Sequence, residues 1–167
     1  MSASPALIVV RVATLTDIGP AGRVVADAYL SDLRVSDSYV ERLRDSECRA
    51  AQAVLLVAVD ALADVVVGSI TYVGGATSMA QLARADEAEL RMLGVSPTAR
   101  GRGVAKALVL ACIDRSRAEG RTRVVLSTQV EMRAAHRLYD RLGFVRRPEL
   151  DWVPEPSVVL VGYALTL

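Results

Sequence analysis

Cysteine and histidine are scarce in this sequence, whose 167 residues include two cysteines and one histidine. Cys48 and Cys112 lie far apart, without the spacing of a metal-binding motif, and His136 lies one position from the apolar face of its segment. A metal site needs several such ligands close together, so we predict no metal. We expect His136 at the surface, and both cysteines as buried or free thiols in a reducing compartment.

Charge of one sign is also lacking, because 20 lysines and arginines face 19 acidic residues and the net charge is +1. Aromatic residues make up only 4% of the chain. The arginines of residues 100–102 and 115–123 stand among acids such as Asp114 and Glu119, with no aromatic side chains between them. Nucleic-acid surfaces combine a basic patch with specific recognition elements, so we predict no nucleic-acid partner.

Long apolar runs are absent. Residues 53–59 are continuously apolar, but Asp60 follows at once and Asp64 soon after, so the run is too short to cross a bilayer. No charged region precedes the apolar residues 6–10, so we expect no secretory signal and no membrane partner. The hydrophobic fraction is nonetheless 52%, which indicates a tight core or a covered interface.

Hydrophobic periodicity predicts strands and helices in a chain of single-domain length, residues 1–167. The predicted strands are residues 8–12, 53–59, 65–72, 89–95, 124–128, 144–147 and 158–165. The predicted helices are residues 18–30, from Ser36 or Asp37 through 49, 103–118 and 131–142. Three prolines predict an irregular loop around Trp152. This order implies a mixed sheet with helices on both sides.

The stretch of residues 90–106 has the most distinctive pattern, a strand followed by a glycine-rich turn and a helix. Pro97 ends the strand, because proline cannot donate to a strand ladder. Apolar residues at helical spacing then begin at Val104. The turn holds two glycines and three cations, namely Gly101, Gly103, Arg100, Arg102 and Lys106. Free N–H groups at a helix start, with glycines that allow close approach, predict an anion site.

Two common phosphate motifs do not fit this turn. A P-loop needs Gly-Lys-Ser/Thr, whereas Val104 and Ala105 follow Gly103. A dinucleotide fingerprint needs a third glycine or alanine where Lys106 stands. The pattern that fits is Arg/Gln-x-x-Gly-x-Gly/Ala, filled by Arg100, Gly103 and Ala105. On the turn alone, a solvated basic loop is the alternative.

A second motif lies further along the chain, where residues 135–144 read Ala-x-x-Leu-Tyr-x-x-x-Gly-Phe. With the glycine turn and the order of elements, it resembles the GNAT superfamily of acyl-CoA-dependent N-acetyltransferases over residues 89–145. The resemblance implies an α/β (mixed α+β) fold class, with a mixed, mostly antiparallel sheet of about seven strands and helices on both faces.

The resemblance also implies a co-substrate, acetyl-CoA, and the residues that bind it. The turn would hold the pyrophosphate through Arg100, Gly101, Arg102, Gly103, Val104, Ala105 and Lys106. The preceding strand, splayed by a bulge, would hold the pantetheine arm and thioester through the backbone of Leu93, Gly94 and Val95. Glycine suits a bulge because it tolerates unusual backbone angles, so Gly94 is its expected centre.

Two catalytic residues follow from the same resemblance. Tyr139 is the candidate acid that protonates or stabilises the leaving thiolate, and a packed core tyrosine is the alternative. Glu89 is the candidate base, and a structural ion pair with Arg91 is the alternative. Ser127 stands where protein N-terminal acetylases of the superfamily carry a glutamate, so that base is absent.

The predicted function is N-acetyl transfer from acetyl-CoA to a primary amine of a small molecule, peptide or protein, by direct attack in a ternary complex. A non-catalytic acyl-CoA-binding or regulatory module on the same fold is the alternative. Carboxylates and aromatics that could receive a cationic amine include Asp32, Asp86, Glu87, Asp151 and Trp152. We further expect a soluble, cytoplasmic homodimer.

Overall fold

The structure, a computed structural model, describes residues 7–167, so residue 6 of the N-terminal apolar run lies outside the described part. The strands are β1 (Ile8–Val12), β2 (Val54–Asp60), β3 (Val65–Gly74), β4 (Glu87–Val95), β5 (Arg123–Gln129), β6 (Val145–Arg146), β7 (Trp152–Glu155) and β8 (Val158–Thr166). The α-helices are α1 (Ile18–Asp32), α2 (Asp37–Arg44), α3 (Ser46–Gln52), α4 (Val104–Ala118) and α5 (Arg133–Arg141).

The eight strands form one sheet in the order β1-β2-β3-β4-β5-β8-β6, and β7 pairs with β8. The pair β4–β5 is parallel, whereas β1–β2, β5–β8, β6–β8 and β7–β8 are antiparallel. The predicted class, a mixed and mostly antiparallel sheet with helices, is therefore confirmed. Within residues 7–167, no helix is both long and apolar enough to span a bilayer.

By its internal contacts the chain forms two compact units. The first consists of residues up to Thr71 with Met92–Ala111, and the second of Tyr72–Arg91 with Cys112–Leu167. The prediction of one domain over the whole chain stays a prediction.

In the first unit, α1 buries small and β-branched side chains on two sides. Val24, Val25 and Ala26 pack with Val40 and Leu43 of α2. On its other side, Ala21 packs against Leu55, Val57 and Val59 of β2. The apolar positions that predicted α1 and β2 are thus the residues through which these elements pack.

One predicted helix is wrong, because the segment from Ser36 through 49 is two helices. Ser36 caps α2 by accepting a hydrogen bond from the Tyr39 N–H at 3.3 Å. Asp45 then leaves the helical region (φ −76°, ψ 64°) and caps α3 through a 3.0 Å bond from the Cys48 N–H. A carboxylate that competes for free N–H groups favours a new helix start over helix continuation.

In the second unit, β5 is the central strand. Its parallel ladder with β4 runs from Glu87↔Arg123 to Leu90↔Leu126. Its antiparallel ladder with β8 is longer, from Arg123↔Thr166 to Gln129↔Leu160. Val125 and Ala164 of these strands form a core with Ala83, against which Ala80, Leu82 and Leu150 pack.

The irregular loop predicted around Trp152 is also wrong, because this segment contains a short 3-10 helix (Pro148–Leu150) and the strand β7. β7 pairs with β8 through Trp152↔Leu160 and Glu155↔Val158, with a register shift between the pairs. Pro154 lies in this irregular stretch, where a strand tolerates a residue without an N–H. The sheet therefore has eight strands rather than about seven.

Candidate functional site

The glycine turn is built as its sequence predicts. A 3-10 helix (Pro97–Ala99) follows β4, and α4 begins at Val104. Gly101 and Gly103 have φ of +75° and +76°, and a Cβ added to either would meet no atom of residues 7–167 within 4 Å. Other residues rarely adopt these angles, so glycine is required by the backbone, and the space beside it is open.

The start of α4 presents N–H groups without a helical acceptor. The first hydrogen bond into the helix runs from the Ala107 N–H to the Gly103 carbonyl, at 3.0 Å. The N–H groups of Val104, Ala105 and Lys106 precede it and have no acceptor within the helix. A helix of 15 residues also carries a partial positive charge at this end. The arrangement is suited to an anion.

Two of the three cations at the turn already have carboxylate partners. The Arg100 guanidinium donates to both Asp32 oxygens, at 2.9 and 2.8 Å. Arg102 pairs with Asp60 at 2.6 Å and lowers the pKa of that carboxyl. Lys106 is exposed and forms no ion pair within the described residues. The three cations with two carboxylates leave a formal charge of +1 at the turn.

The backbone irregularity in β4 falls on a different residue from the one expected. Met92 has a φ of +53°, in the left-handed region that is uncommon for residues other than glycine, and it lies two residues beyond the last ladder pair with β5. Gly94 has no positive φ; a Cβ there would lie 2.7 Å from the Val25 Cα. Gly94 is therefore required by close packing of α1, the positive φ in β4 falls on Met92, and the bulge itself stays a prediction.

Glu89 is buried and holds a loop. Its Oε2 atom accepts hydrogen bonds from three consecutive N–H groups, those of residues 81, 82 and 83, at 2.8, 2.8 and 3.1 Å. Its side chain is only 1% exposed, and Oε1 lies 3.9 Å from the Arg91 Nε. Arg91 donates in turn to the Met79 carbonyl at 2.7 Å. These contacts give Glu89 an anchoring role, and the base role stays a prediction.

Tyr139 is buried in an aromatic cluster. Its ring centroid lies 5.6 Å from that of Phe144 and 6.0 Å from that of Tyr163. Burial, reinforced by the nearby Cys112 thiol, raises the pKa of the Tyr139 phenol well above its usual range. Within residues 7–167, the hydroxyl forms no hydrogen bond. Most buried tyrosine hydroxyls have a hydrogen-bond partner. The Tyr139 hydroxyl is therefore unusual as a donor without an acceptor in the described part of the chain.

Two neighbouring polar residues differ from expectation or from the family pattern. His136 is half-buried rather than at the surface, because its Nε2 lies 3.0 Å from the Gln129 carbonyl oxygen and its ring packs on Tyr163. Ser127 accepts a hydrogen bond from the Trp152 indole N–H at 3.3 Å.

Four of the carboxylates predicted to receive a cationic amine are already engaged within the chain. Asp32 pairs with Arg100, Glu87 with Arg123 and Asp151 with Arg146. Asp86 accepts from the Thr122 hydroxyl at 2.9 Å. In contrast, Arg147 has a buried Nε with no hydrogen-bond partner among residues 7–167. Met92 and Arg147 were not among the predicted site residues, since neither a backbone angle nor an unpaired state is visible in a residue pattern.

The comparisons with known proteins agree with this geometry. A family model described as acetyltransferase (GNAT) family matches residues 24–144, so the chain belongs to that family. A structure of a GNAT-family acetyltransferase from Staphylococcus aureus Mu50 has a TM-score of 0.76 at 14% identity, covering 96% of this chain and 99% of that one. A structure from Salmonella typhimurium, described with its cofactor acetyl-CoA, has a TM-score of 0.68 at 23% identity, covering 96% and 94%.

Relatives at the sequence level match only part of the chain. N-alpha-acetyltransferase 30 of Saccharomyces cerevisiae is 46% identical over 55 residues, which is 33% of this chain and 31% of the relative. A mycothiol acetyltransferase of Renibacterium salmoninarum is 40% identical over 58 residues, 35% of this chain and 17% of the relative. The matches thus span less than a third of the length of these two curated relatives.

Proposed function

We propose that this chain is an N-acetyltransferase that moves the acetyl group of acetyl-CoA to a primary amine by direct attack in a ternary complex. The observation that carries the proposal is the open turn at Gly101 and Gly103, which leads into the unpaired N–H groups of α4. The family and the names of the two relatives, an N-alpha-acetyltransferase and a mycothiol acetyltransferase, support the same reaction class.

The residues of the turn fit a pyrophosphate. The N–H groups of Val104, Ala105 and Lys106 would donate to phosphate oxygens, and the missing Cβ atoms of Gly101 and Gly103 leave room for them. Lys106 adds an unpaired charge. Arg100 and Arg102 would bind the pyrophosphate either in place of their carboxylate partners or together with them. We further propose that the backbone of Leu93, Gly94 and Val95 holds the pantetheine arm. Acetyl-CoA supplies the acyl thioester.

Tyr139 would stabilise the leaving thiolate. Its raised pKa keeps the phenol protonated at neutral pH, so the hydroxyl remains a hydrogen-bond donor. Complete transfer of that proton to a thiolate, whose conjugate acid has a pKa of about 8.5, is unfavourable. Tyr139 therefore acts by donating a hydrogen bond to the developing negative charge, and solvent supplies the proton afterwards.

The amine must lose a proton, and Glu89 is the residue that the sequence predicts for this step. Its Oε2 is occupied by three N–H groups, which leaves Oε1 as the only oxygen that could accept another proton. Substitution of Glu89 by glutamine separates this role from anchoring, since glutamine keeps an acceptor oxygen and loses the basic carboxylate.

Calorimetry with acetyl-CoA, followed by thiol release with a panel of primary amines, tests the proposal. We expect binding at one site per chain and thiol release that depends on the amine. Binding without release for any amine would favour the non-catalytic acyl-CoA-binding module, and absence of binding would contradict both functions.

We also propose that the protein is a cytoplasmic homodimer, because a chain with 52% hydrophobic residues has apolar surface to cover. Sedimentation at micromolar concentration tests the assembly, and a monomer there would contradict it.

A further inference from the structure

Arg147 is held firmly at its backbone. Its N–H donates to the Gly162 carbonyl at 2.8 Å, and its own carbonyl accepts from the Leu150 N–H at 2.9 Å. Gly162 lies so close that an added Cβ would be 2.3 Å from the Leu150 Cβ and 3.0 Å from the Arg147 carbonyl oxygen. The side chain therefore starts from a fixed position.

The guanidinium of Arg147, in contrast, has no partner. The residue is half-buried, and its Nε is shielded from solvent without a hydrogen-bond acceptor in the described part of the chain. A shielded donor without an acceptor destabilises the folded state. Such a group is expected to have a partner that the chain itself does not supply.

The other arginines of the second unit show that this state is exceptional. Those that are half-buried use acceptors of the chain, as Arg91, Arg121, Arg123 and Arg146 do. The Nε of Arg115 is also buried without a hydrogen bond, but this residue forms an ion pair with Glu119. Those that are unpaired within the described residues are exposed, as Arg84, Arg133, Arg137 and Arg141 are. Arg147 alone among the described arginines of this unit is both half-buried and unpaired.

The two carboxylates nearest to Arg147 in sequence do not pair with it. Asp151 accepts from Arg146 at 2.6 Å and from the Gly162 N–H at 2.9 Å. Glu149 is exposed and forms no ion pair with Arg147 within 7–167. The loop therefore presents a cation whose neighbouring acid is used elsewhere.

The position of Arg147 relates it to the proposed chemistry. Its backbone bonds to Gly162, which precedes Tyr163, and the Tyr163 ring lies 6.0 Å from that of Tyr139. Gly162 is also paired with Ser127 on β5. The backbone of Arg147 thus lies beside the strand that carries Tyr163 and that pairs with Ser127.

We propose that Arg147 binds a carboxylate of the acceptor, so that the substrate class is amines that also carry a carboxylate, such as amino acids or peptides with an acidic group. The proposal rests on the proposed function. A guanidinium presents parallel N–H donors that match the two oxygens of a carboxylate. A phosphate of the co-substrate has similar chemistry, so the experiment separates the two anions.

The kinetic test compares amino acids with their carboxamides as acceptors, which differ only in the carboxylate. For Arg147→Gln we expect kcat/KM for the amino acids to fall about 10–100-fold, the size of one charged hydrogen-bonded contact, with the carboxamides affected less than about threefold. Arg147→Lys should restore part of the loss. Arg141→Gln removes an exposed, unpaired charge and is the matched control, with no expected change. Equal losses for both acceptor sets, or no preference in the wild type, would overturn the proposal.

Two binding measurements complete the test. Acetyl-CoA affinity should be unchanged in Arg147→Gln, and a tenfold loss would assign the arginine to a co-substrate phosphate and overturn the proposal. In protein labelled with ¹⁵N-arginine, the Arg147 Nε–H resonance is assigned as the one that Arg147→Gln lacks. In the wild type this resonance should shift when amino acids are added and not when carboxamides are added. This readout needs no turnover, so if no amine releases thiol, the proposed function fails while a shift still supports the carboxylate site. Absence of a shift contradicts it.

Discussion

Two stretches of this chain present consecutive backbone N–H groups, and they differ in what accepts from them. The N–H groups of residues 81, 82 and 83 converge on one oxygen of Glu89. The N–H groups of Val104, Ala105 and Lys106 at the start of α4 have no acceptor within their helix, beside open space at Gly103. The first set is completed by the chain and holds a loop, whereas the second is the set for which we propose an external anion.

Two buried tyrosines show the same contrast. The Tyr72 hydroxyl donates to Glu119 at 2.8 Å. The Tyr139 hydroxyl forms no hydrogen bond within residues 7–167, although the side chain is buried to a similar extent. Polar groups whose hydrogen bonds are satisfied within the chain stabilise the fold. Donors that are left without an acceptor in a folded protein are candidates for substrate contacts. The donors without an acceptor in the chain are therefore the groups that we propose for substrate contacts.

The largest expected effect comes from removing the carboxylate that accepts from the N–H groups of residues 81, 82 and 83. Glu89→Ala removes the acceptor of three N–H groups together with the partner of Arg91, and each unmet donor costs about 1–3 kcal/mol. We expect the free energy of unfolding in urea to fall by about 4 kcal/mol.

Glu89→Gln is the control, because it keeps an acceptor oxygen. We expect it to lose about 1 kcal/mol of stability and to stay within about tenfold of the wild-type rate of thiol release. A rate loss of about 10²–10⁴-fold with unchanged unfolding would instead support the base role.

Tyr139→Phe tests the hydroxyl that has no hydrogen-bond acceptor in the described residues. The ring and its packing are kept, and no hydrogen bond within the chain is lost, so stability should change by less than about 0.5 kcal/mol. The acetylation rate should fall by about 10²–10⁴-fold at constant acetyl-CoA affinity, because a donor to the thiolate is removed. Tyr72→Phe removes a satisfied hydroxyl and should reverse the pattern, with a stability loss of about 1 kcal/mol and an unchanged rate. Wild-type turnover by Tyr139→Phe would make Tyr139 a core residue.

Gly103→Glu tests the open N–H set by placing a carboxylate beside it. We expect acetyl-CoA affinity to fall by at least about 100-fold in calorimetry, since the new anion repels the pyrophosphate and occupies its space. A non-glycine residue at positive φ costs about 1–2 kcal/mol of stability. Gly120→Glu is the matched control, because Gly120 has a φ of +68° and open space at the other end of α4. Equal affinity losses in both variants would remove the turn from the binding site.

The fold could be predicted where local pattern decides it. β1 follows its predicted bounds and α4 begins one residue after its predicted start, since alternation and helical spacing are properties of the segment itself. The break at Asp45 depends on a carboxylate that caps a new helix, and β7 depends on pairing with β8, which a proline-containing segment does not show.

The site could be predicted only in its local part. The glycine turn is readable because positive φ selects glycine, but Met92 adopts a similar angle without any sign in its residue type. The carboxylates that pair with Arg100 and Arg102 lie 68 and 42 residues away in sequence. Contacts of that kind are set by tertiary packing, so the charge balance at the turn required the structure.

The last prediction concerns a third polar group whose partners all lie within the chain, Asp17 in the first unit. Asp17 pairs with Arg11 and accepts from the Thr14 N–H and hydroxyl, each at 2.7 Å. The Arg11 guanidinium first, and then Thr14, lower the pKa of the Asp17 carboxyl from 3.8 to about 2. A carboxyl whose pKa is lower in the folded state stabilises the fold above its unfolded pKa. This contribution, about 2 kcal/mol, is complete above pH 4 and lost as the pH falls through 2.

Unfolding in urea between pH 5 and pH 2 should therefore show a decline that Asp17→Asn flattens in this window, because the amide keeps the acceptor oxygen and does not titrate. An Asp17→Asn protein with the full wild-type acid decline would mean that other carboxyls carry the pH dependence, and that completion of backbone donors at Thr14 adds little to stability.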